Sequence, residues 1–422
     1  MKKIFKISVF TSLIFCFVLA FASCDEKKSK PVGFGYTGAD FSVEVKVPNT
    51  DSVYMKKAQE MDKKMTALEL TQKMGNGINL GNTMEAYRGW NQNFGKRVSF
   101  YEQLWGQPIT KQEMFKAYKE AGFNSVRIPV AWTNMIDYEH GNYEIKPELL
   151  DRIELLVNWA IQEDLYVIIN DHWDGQWWGM FGAIDKKYRY QAGILYKSIW
   201  TQVANRFKNY DEHLIFESAN EELGDRLNDD TVFSKGLKGN LSQFECYDCT
   251  NQINQCFVDL VRETGGNNKY RFLLIAGYNT DIEKTCEISF KMPADKVKNR
   301  LLVSVHYYTP STYCILDKDA SWGKVRNSWG TDADYKSMDG YFAKMKKFVD
   351  EGYGVIIGEY GVSKDSKQNK KEGMEQWLTN VLDNCDKYNY CPMLWDCNSF
   401  FFKREPMGFR DESVGNVYKN RN

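Results

Sequence analysis

The chain has almost no net charge. Its 422 residues hold 55 Lys and Arg against 56 Asp and Glu, a formal charge of −1, which removes the basic footprint of a nucleic-acid binder. Beyond residue 22 it has no apolar run long enough to span a bilayer. A mean hydropathy of −0.53 likewise excludes a polytopic membrane protein. Internal repeats and low-complexity runs are absent, and 43% hydrophobic residues exclude wholesale disorder. What the chain has in excess is rings: 12 Trp, 25 Tyr and 25 Phe make an aromatic share of 15%. A core absorbs many of them. Rings left over in a cleft would form a platform for something flat and wet, such as a sugar.

The first 23 residues read as an export signal. Lys2, Lys3 and Lys6 precede an apolar run over residues 7–22 that ends in the small residues Ala22 and Ser23. Phe21-Ala22-Ser23-Cys24 resembles the lipobox of bacterial lipoproteins, and the resemblance implies lipidation of Cys24 as the new N-terminus. Simple secretion and an uncleaved anchor are the other readings, and all three export the chain. The expected location is the cell surface or periplasm, with membrane contact only through the lipid. Residues 24–60 are polar and read as a tether and N-terminal flap, in which residues 41–47 alternate like a single strand.

Export changes the reading of cysteine. Apart from Cys16 and Cys24, the chain has Cys246, Cys249, Cys256, Cys286, Cys314, Cys385, Cys391 and Cys397. An even number outside the reducing cytosol leads to the expectation of one or more disulfides, although an anaerobic setting would leave all of them reduced. Cys246 and Cys249 have half of a zinc-ribbon spacing with no second CxxC to complete it, and no metal or other cofactor is expected.

From residue 77 onward, strand-like runs recur at 77–82, 125–131, 166–170, 214–218, 272–276, 301–305, 354–358 and 392–395. Amphipathic stretches lie between them at 111–121, 147–163, 191–207, 251–263, 339–351 and 370–387. Near-continuous apolar strands alternating with helices mean parallel pairing with both faces covered. The pattern predicts an α/β fold, a (β/α)8 TIM barrel over residues 61–422, acting as a monomer. The unit after the fifth run is short, and no good helix pattern follows the eighth.

Chemistry in such a barrel sits at the C-terminal ends of the strands. Those ends carry Asn82, Arg127, His172, Asn220 with Glu221, His306 with Tyr308, Glu359 and Trp395. Glu221 and Glu359 close strands four and seven, on opposite sides of the ring, and can face each other across its mouth. Two opposed carboxylates are the machinery of glycoside hydrolysis: one protonates the leaving oxygen and the other attacks the anomeric carbon, about 5 Å away in retaining enzymes. The nucleophile must stay ionised, so Glu359 wants positive and hydroxyl neighbours. The acid must be protonated at rest, so burial and a nearby negative charge are expected to raise the Glu221 pKa.

Asn220-Glu221 and Glu359 resemble the signature of the clan of retaining barrel glycosidases. Gly77-Ile-Asn-Leu-Gly-Asn82, Val126-Arg127-Ile-Pro129, Asn170-Asp-His172-Trp173-Asp174, Val305-His306-Tyr-Tyr308 and Trp395-Asp396-Cys-Asn398 more narrowly resemble glycoside hydrolase family 5, the cellulase family, over about residues 70–412. The resemblance implies Glu221 as acid/base and Glu359 as nucleophile. It also implies Arg127 and Tyr308 on the nucleophile, Asn220 on the sugar 2-hydroxyl, His172 and His306 at the reacting ring and carboxylates, and Trp395 flooring the −1 subsite. The expected activity is endo-β-1,4-glucanase on a β-glucan polysaccharide or oligosaccharide. Xyloglucanase, β-mannanase and a non-catalytic glycan-binding lipoprotein are the alternatives.

This chain departs from the family at Glu222, where Pro is usual. Alternation would turn Glu222 away from Glu221 as a supporting residue, with acid/base duty as its rival role. Glu217 shares the inward face and reads as structural support. His140 and His213 read as surface or capping residues, and Asp171 with His172 and Asp174 has no second His at metal-ligand spacing. Trp159, Trp200 and Trp377 fit helix packing. Trp90, Trp132, Trp173, Trp177, Trp178, Trp322 and Trp329 fall in loops beyond strand ends and are candidates for stacking on sugars, Trp173 and Trp178 foremost.

Overall fold

Short β-branched and aromatic runs form eight parallel strands because both of their faces are covered by apolar neighbours. The computed structural model describes residues 38–48, 50–87, 97–137, 143–174, 177–229, 239–419 and 421. Its barrel strands are β1 (Gly77–Asn79), β2 (Ser125–Ile128), β3 (Tyr166–Ile169), β4 (Leu214–Glu217), β5 (Leu273–Ala276), β6 (Leu301–Tyr307), β7 (Gly354–Tyr360) and β8 (Tyr390–Leu394). Each pairs in parallel with the next, and β8 closes on β1. The helices are α1 (Ala67–Met74), α2 (Val98–Glu102), α3 (Gln112–Glu120), α4 (Pro147–Gln162), α5 (Lys186–Phe207) and α6 (Gln243–Glu263). They continue with α7 (Ile282–Cys286), α8 (Ser311–Cys314), α9 (Asp332–Asp350), α10 (Met374–Tyr388) and α11 (Glu412–Lys419). Cys16, Cys24, Trp90 and His140 lie outside the described residues.

Two-residue periodicity sorts the strands into two faces. Val126, Val167, Ile169, Leu214, Phe216, Val303 and Val355 face outward and pack under the helices. Ile168, Ile215, Leu274, Leu302, Ile356 and Met393 face inward, where Leu70 and Met74 of α1 plug the N-terminal end. Thr66 and Glu69 form a capping box that fixes where α1 begins. One step up the barrel the inward positions turn polar: Asn79, Arg127, Glu217 and Ser304 are buried there. The apolar plug stabilises the ring, and the polar layer above it supports the mouth.

Several expectations need correction. A helix does follow the eighth strand: α11, reached through the hairpin β9 (Phe402–Arg404) and β10 (Met407–Phe409). The hairpin separates it from β8, so it does not follow the strand directly, and its Val414 and Tyr418 are buried. Residues 41–47 form no strand. Their exposure alternates as expected, yet the Lys197 amine takes the Phe41 and Val43 carbonyls, and the Phe41 ring packs on Phe181 and Tyr196. The segment pads α5. The cysteines are all free among the described residues. Cys246, Cys249 and Cys256 share α6, and the others lie outside it: Cys391, for example, sits inside the barrel beside Ser125 and Met393. No helix among the described residues is long and apolar enough to cross a membrane.

Candidate active site

The site begins with an irregularity in β7. Val305 of β6 pairs with Ile357, but the next residue, His306, pairs with Glu359, so Gly358 is an extra residue in β7. The β7–β8 register shifts over the same stretch. Strict alternation would have placed Gly358 inward and Glu359 outward beneath the helices. The bulge reverses this and turns Glu359 into the mouth. Gly is required at the bulge, because a Cβ there would lie 2.7 Å from Ser304 Oγ and 3.1 Å from His306 Nε2.

Arg127 ties the polar layer to the mouth. It lies inside β2, fully buried, rather than at a strand end. Its Nε donates to Glu217 at 2.6 Å, Nη1 to Asn79 at 3.0 Å and to Glu359 at 3.0 Å, and Nη2 to Asn220 Oδ1 at 2.8 Å. Ser304 and Asn170 also donate to Glu217, at 2.7 and 3.0 Å. A buried guanidinium with this many charge-assisted bonds is fixed in position. Tyr308 donates to the other Glu359 oxygen at 3.0 Å. Burial and the Glu359 charge keep the Tyr308 phenol far above its usual pKa, so it acts as a donor.

Glu221 lies four residues beyond the end of β4. His306 Nδ1 is 2.9 Å from Glu221 Oε1 and 3.6 Å from Glu359 Oε2. One atom from each of Glu221, His306 and Glu359 lies within 4.8 Å of the other two. Such a spacing could admit a cation, but Arg127 and Tyr308 already engage both Glu359 oxygens. The electrostatics of the site reverse the expectation from sequence. Burial works to raise the Glu221 pKa, yet the hydrogen bond and charge of His306, with Arg226 and Arg127 behind it, hold it below the usual range. Burial and the Glu221 charge push Glu359 up against the pull of His306 and Arg127. The 2.9 Å contact with His306 Nδ1 is therefore what opposes burial at Glu221.

Other residues complete the mouth. His172 and Trp395 have parallel rings with centroids 6.0 Å apart. Burial, Arg127 and His306 hold the His172 pKa well below normal, so this ring is neutral. Asn220 keeps one unpaired buried donor, Nδ2. Asn82 is buried in a left-handed turn, its N–H on the Glu85 carboxylate. Trp173 is half-buried. Trp178, read from sequence as a sugar-stacking ring, is instead core: it is 3% exposed and stacked 4.4 Å from Trp177. Its loop folds back as the helical turn Trp178–Gly182 against Tyr196 of α5. Trp132, Trp177 and Trp329 are buried in the same way, whereas Trp173, Trp322 and Trp395 remain partly exposed.

Arg226 beside the carboxylates has a role the sequence did not assign, while Glu222 takes the supporting role expected of it. The Arg226 guanidinium lies 4.2 Å over the Trp173 ring and 3.9 Å from Glu221 Oε2. No motif marked it, because it comes from the turn Asp225–Asn228 beyond β4. Glu222 does not face the mouth as a rival acid. It accepts from Trp173 N at 2.6 Å and from Asn220 N at 2.8 Å, clamping two site residues. Burial pushes its carboxyl up to about 8. Asp174 likewise accepts from Thr133, and Asp171 lies against it. His213 stacks on Tyr166 and bonds Asp211, away from the mouth.

With this geometry in place, similarity to known proteins becomes informative. The family described as cellulase, glycosyl hydrolase family 5, matches residues 83–401. Endoglucanase A of Paenibacillus barcinonensis is 35% identical over 356 residues, covering 79% of this chain and 82% of that enzyme. The xyloglucan-specific endo-β-1,4-glucanase of Bacteroides ovatus is 33% identical over 79% of this chain, which spans 65% of that enzyme's length. Among solved structures, a broad-specificity endoglucanase from an uncultured bovine rumen ciliate superposes with a TM-score of 0.71 at 32% identity. The match covers 85% of this chain and 98% of that one.

Proposed function

This chain belongs to glycosyl hydrolase family 5, the cellulase family, and we propose that it cleaves β-1,4-linked glucan internally by double displacement with retention. The observation that carries this reading is the close approach of Glu221 and Glu359, whose nearest oxygens lie within 4.8 Å. An inverting enzyme needs roughly 6.5–9.5 Å between carboxyls to admit a water. Glu359 is the nucleophile, since Arg127 and Tyr308 orient it and stabilise its ionised form. Glu221 is the acid/base. A pyranose entering the mouth displaces water, and that further desolvation raises the Glu221 pKa towards the protonated form that the acid step needs. The Glu221 proton passes to the glycosidic oxygen as Glu359 attacks the anomeric carbon. Esterification removes the Glu359 charge, and Glu221 then deprotonates the incoming water. The unpaired Asn220 amide is suited to the sugar 2-hydroxyl, and Trp395 to the apolar face of the ring.

The substrates named for the relatives support the same backbone with latitude for branches. Product analysis on cellulose-type, mixed-linkage, xyloglucan and mannan polymers tests this. Hydrolysis of β-glucans is expected, and activity confined to mannan would overturn the glucanase reading. A non-catalytic binding role is disfavoured because Glu221, Glu359 and Arg127 are all in place.

The N-terminal resemblance supports export as a lipoprotein anchored through Cys24, and the chain is proposed to act as a monomer. Fatty-acid labelling that survives in the Cys24→Ser variant would refute the anchor, and light scattering reads the oligomeric state.

A further inference from the structure

A cavity of about 310 Å³ opens between the segment following β7 and the segment following β8. Val362, Phe400 and Phe401 give it an apolar wall, while Lys364, Lys370 and Arg410 bring positive charge, with Asp411 as its acid. Lys370 is paired with Glu375 and Asp411, its amine 3.1 Å from the Asp411 carboxylate. That pairing consumes the cavity's own acid. Lys364 and Arg410 hold main-chain carbonyls instead: Lys364 Nζ is 3.5 Å from Ser399 O, and Arg410 Nε donates to Asn398 O at 2.8 Å. Burial and the neighbouring Arg410 charge hold the Lys364 amine below the usual lysine range. Two cations drawn together in a partly desolvated recess repel, and an anion entering between them relieves the repulsion.

The rest of the lining narrows the kind of anion. The volume is at the small end of ligand pockets, which run roughly 300–1,000 Å³, and suits a single sugar ring better than an inorganic ion. The half-buried Phe400 offers apolar surface to a pyranose, and the exposed Gln368 amide suits its hydroxyls. One wall of the cavity reaches the chain just beyond Glu359. Phe401 rests against Gly361, where an added Cβ would sit 3.2 Å from the ring, and Gly361 is two residues beyond Glu359. Lys364, five residues beyond Glu359, is within roughly 18 Å of it along the chain. The carbonyls gripped by the two cations closely follow Trp395.

Resting on the glucanase reading for the backbone in the mouth, we propose that this cavity is an accessory subsite for a carboxylate-bearing pyranose, a uronic acid unit carried by or ending the glycan, held by Lys364 and Arg410. Titration with methyl β-D-glucuronide and with methyl β-D-glucoside, followed by NMR, tests binding without turnover. Saturable, salt-sensitive binding of the glucuronide alone is expected, weakened about fivefold or more in the double variant Lys364→Gln/Arg410→Gln. Absence of saturable binding, equal binding of the glucoside, or unchanged affinity in the double variant overturns the subsite. A second readout compares kcat/KM on carboxymethyl cellulose and neutral hydroxyethyl cellulose. The double variant should lose about threefold on the charged polymer and stay near wild type on the neutral one, which also reports its folding. Equal losses on both polymers would make Lys364 and Arg410 structural holders of the 398–399 segment. Absence of wild-type turnover on the neutral polymer would instead refute the hydrolase reading, and the glucuronide titration would still decide the subsite.

Discussion

His306 faces Glu359 across β6 and β7, although the residue before it, Val305, faces Ile357. The extra residue between those pairs is Gly358, and without it the nucleophile would point under the helices. In the Gly358→Ala variant, a methyl 2.7 Å from Ser304 Oγ must push the bulge or its neighbours aside. We expect a stability loss of about 1–3 kcal/mol in thermal denaturation. A roughly 100-fold fall in kcat should accompany it as Glu359 shifts. Wild-type kcat in a folded variant would show that the bulge does not set the nucleophile.

Arg226 contributes to the lowering of the Glu221 pKa from 3.9 Å away. Removing its charge in Arg226→Gln should let the Glu221 pKa rise. Catalysis needs Glu221 protonated, so the alkaline limb of kcat/KM should move to higher pH. The shift should stay below about one unit, because Arg226 is partly exposed and screened. An alkaline limb that stays put or moves down would separate Arg226 from the acid.

The carboxylate roles predict different chemical rescue. Glu221→Ala should lose about 10²–10⁴-fold on glycans with poor leaving groups. On an activated aryl glycoside, added azide should restore turnover and give a product of retained configuration. Glu359→Ala with azide should give the inverted glycosyl azide. NMR of the products reads both, and exchanged outcomes would reverse the assignment.

Asp171 and Asp174 share a buried space behind Trp173. Burial, opposed by hydrogen bonds from Asp171 and Thr133, leaves the Asp174 carboxyl raised to about 7, and burial with the Asp174 charge holds Asp171 well above its usual value. A carboxyl raised on folding binds protons more tightly in the folded state. Stability is therefore fullest below the unfolded value of about 4 and falls as pH rises toward 7. Asp171→Asn removes one of the two charges and leaves an amide able to donate to Asp174. Its melting temperature should depend less on pH between 4 and 8 than that of the wild type. A steeper dependence would contradict a cost that comes from crowding the two carboxyls together.

The sequence alone determined the barrel and the identity of its polar ends. Eight apolar runs alternating with amphipathic ones permit little besides a parallel ring, because strands with two apolar faces must be covered on both sides. The opposed Glu221 and Glu359 and their companions Arg127, His306 and Tyr308 were legible for the same reason: polar residues within or just beyond apolar strands stand out against their surroundings.

Side-chain direction where regular periodicity breaks down was not legible. Trp178 and Trp173 both follow β3, yet one is core and the other lies under Arg226, because the return path of the loop is set by contacts with α5 and the turn Asp225–Asn228. The lowering of the Glu221 pKa by His306 depends on the approach of residues from different strands. Sequence carried whatever follows from local period and polarity. Only the tertiary structure decided the bulge at Gly358, the placement of each ring and the sign of the Glu221 shift, since each depends on which atoms approach from distant parts of the chain.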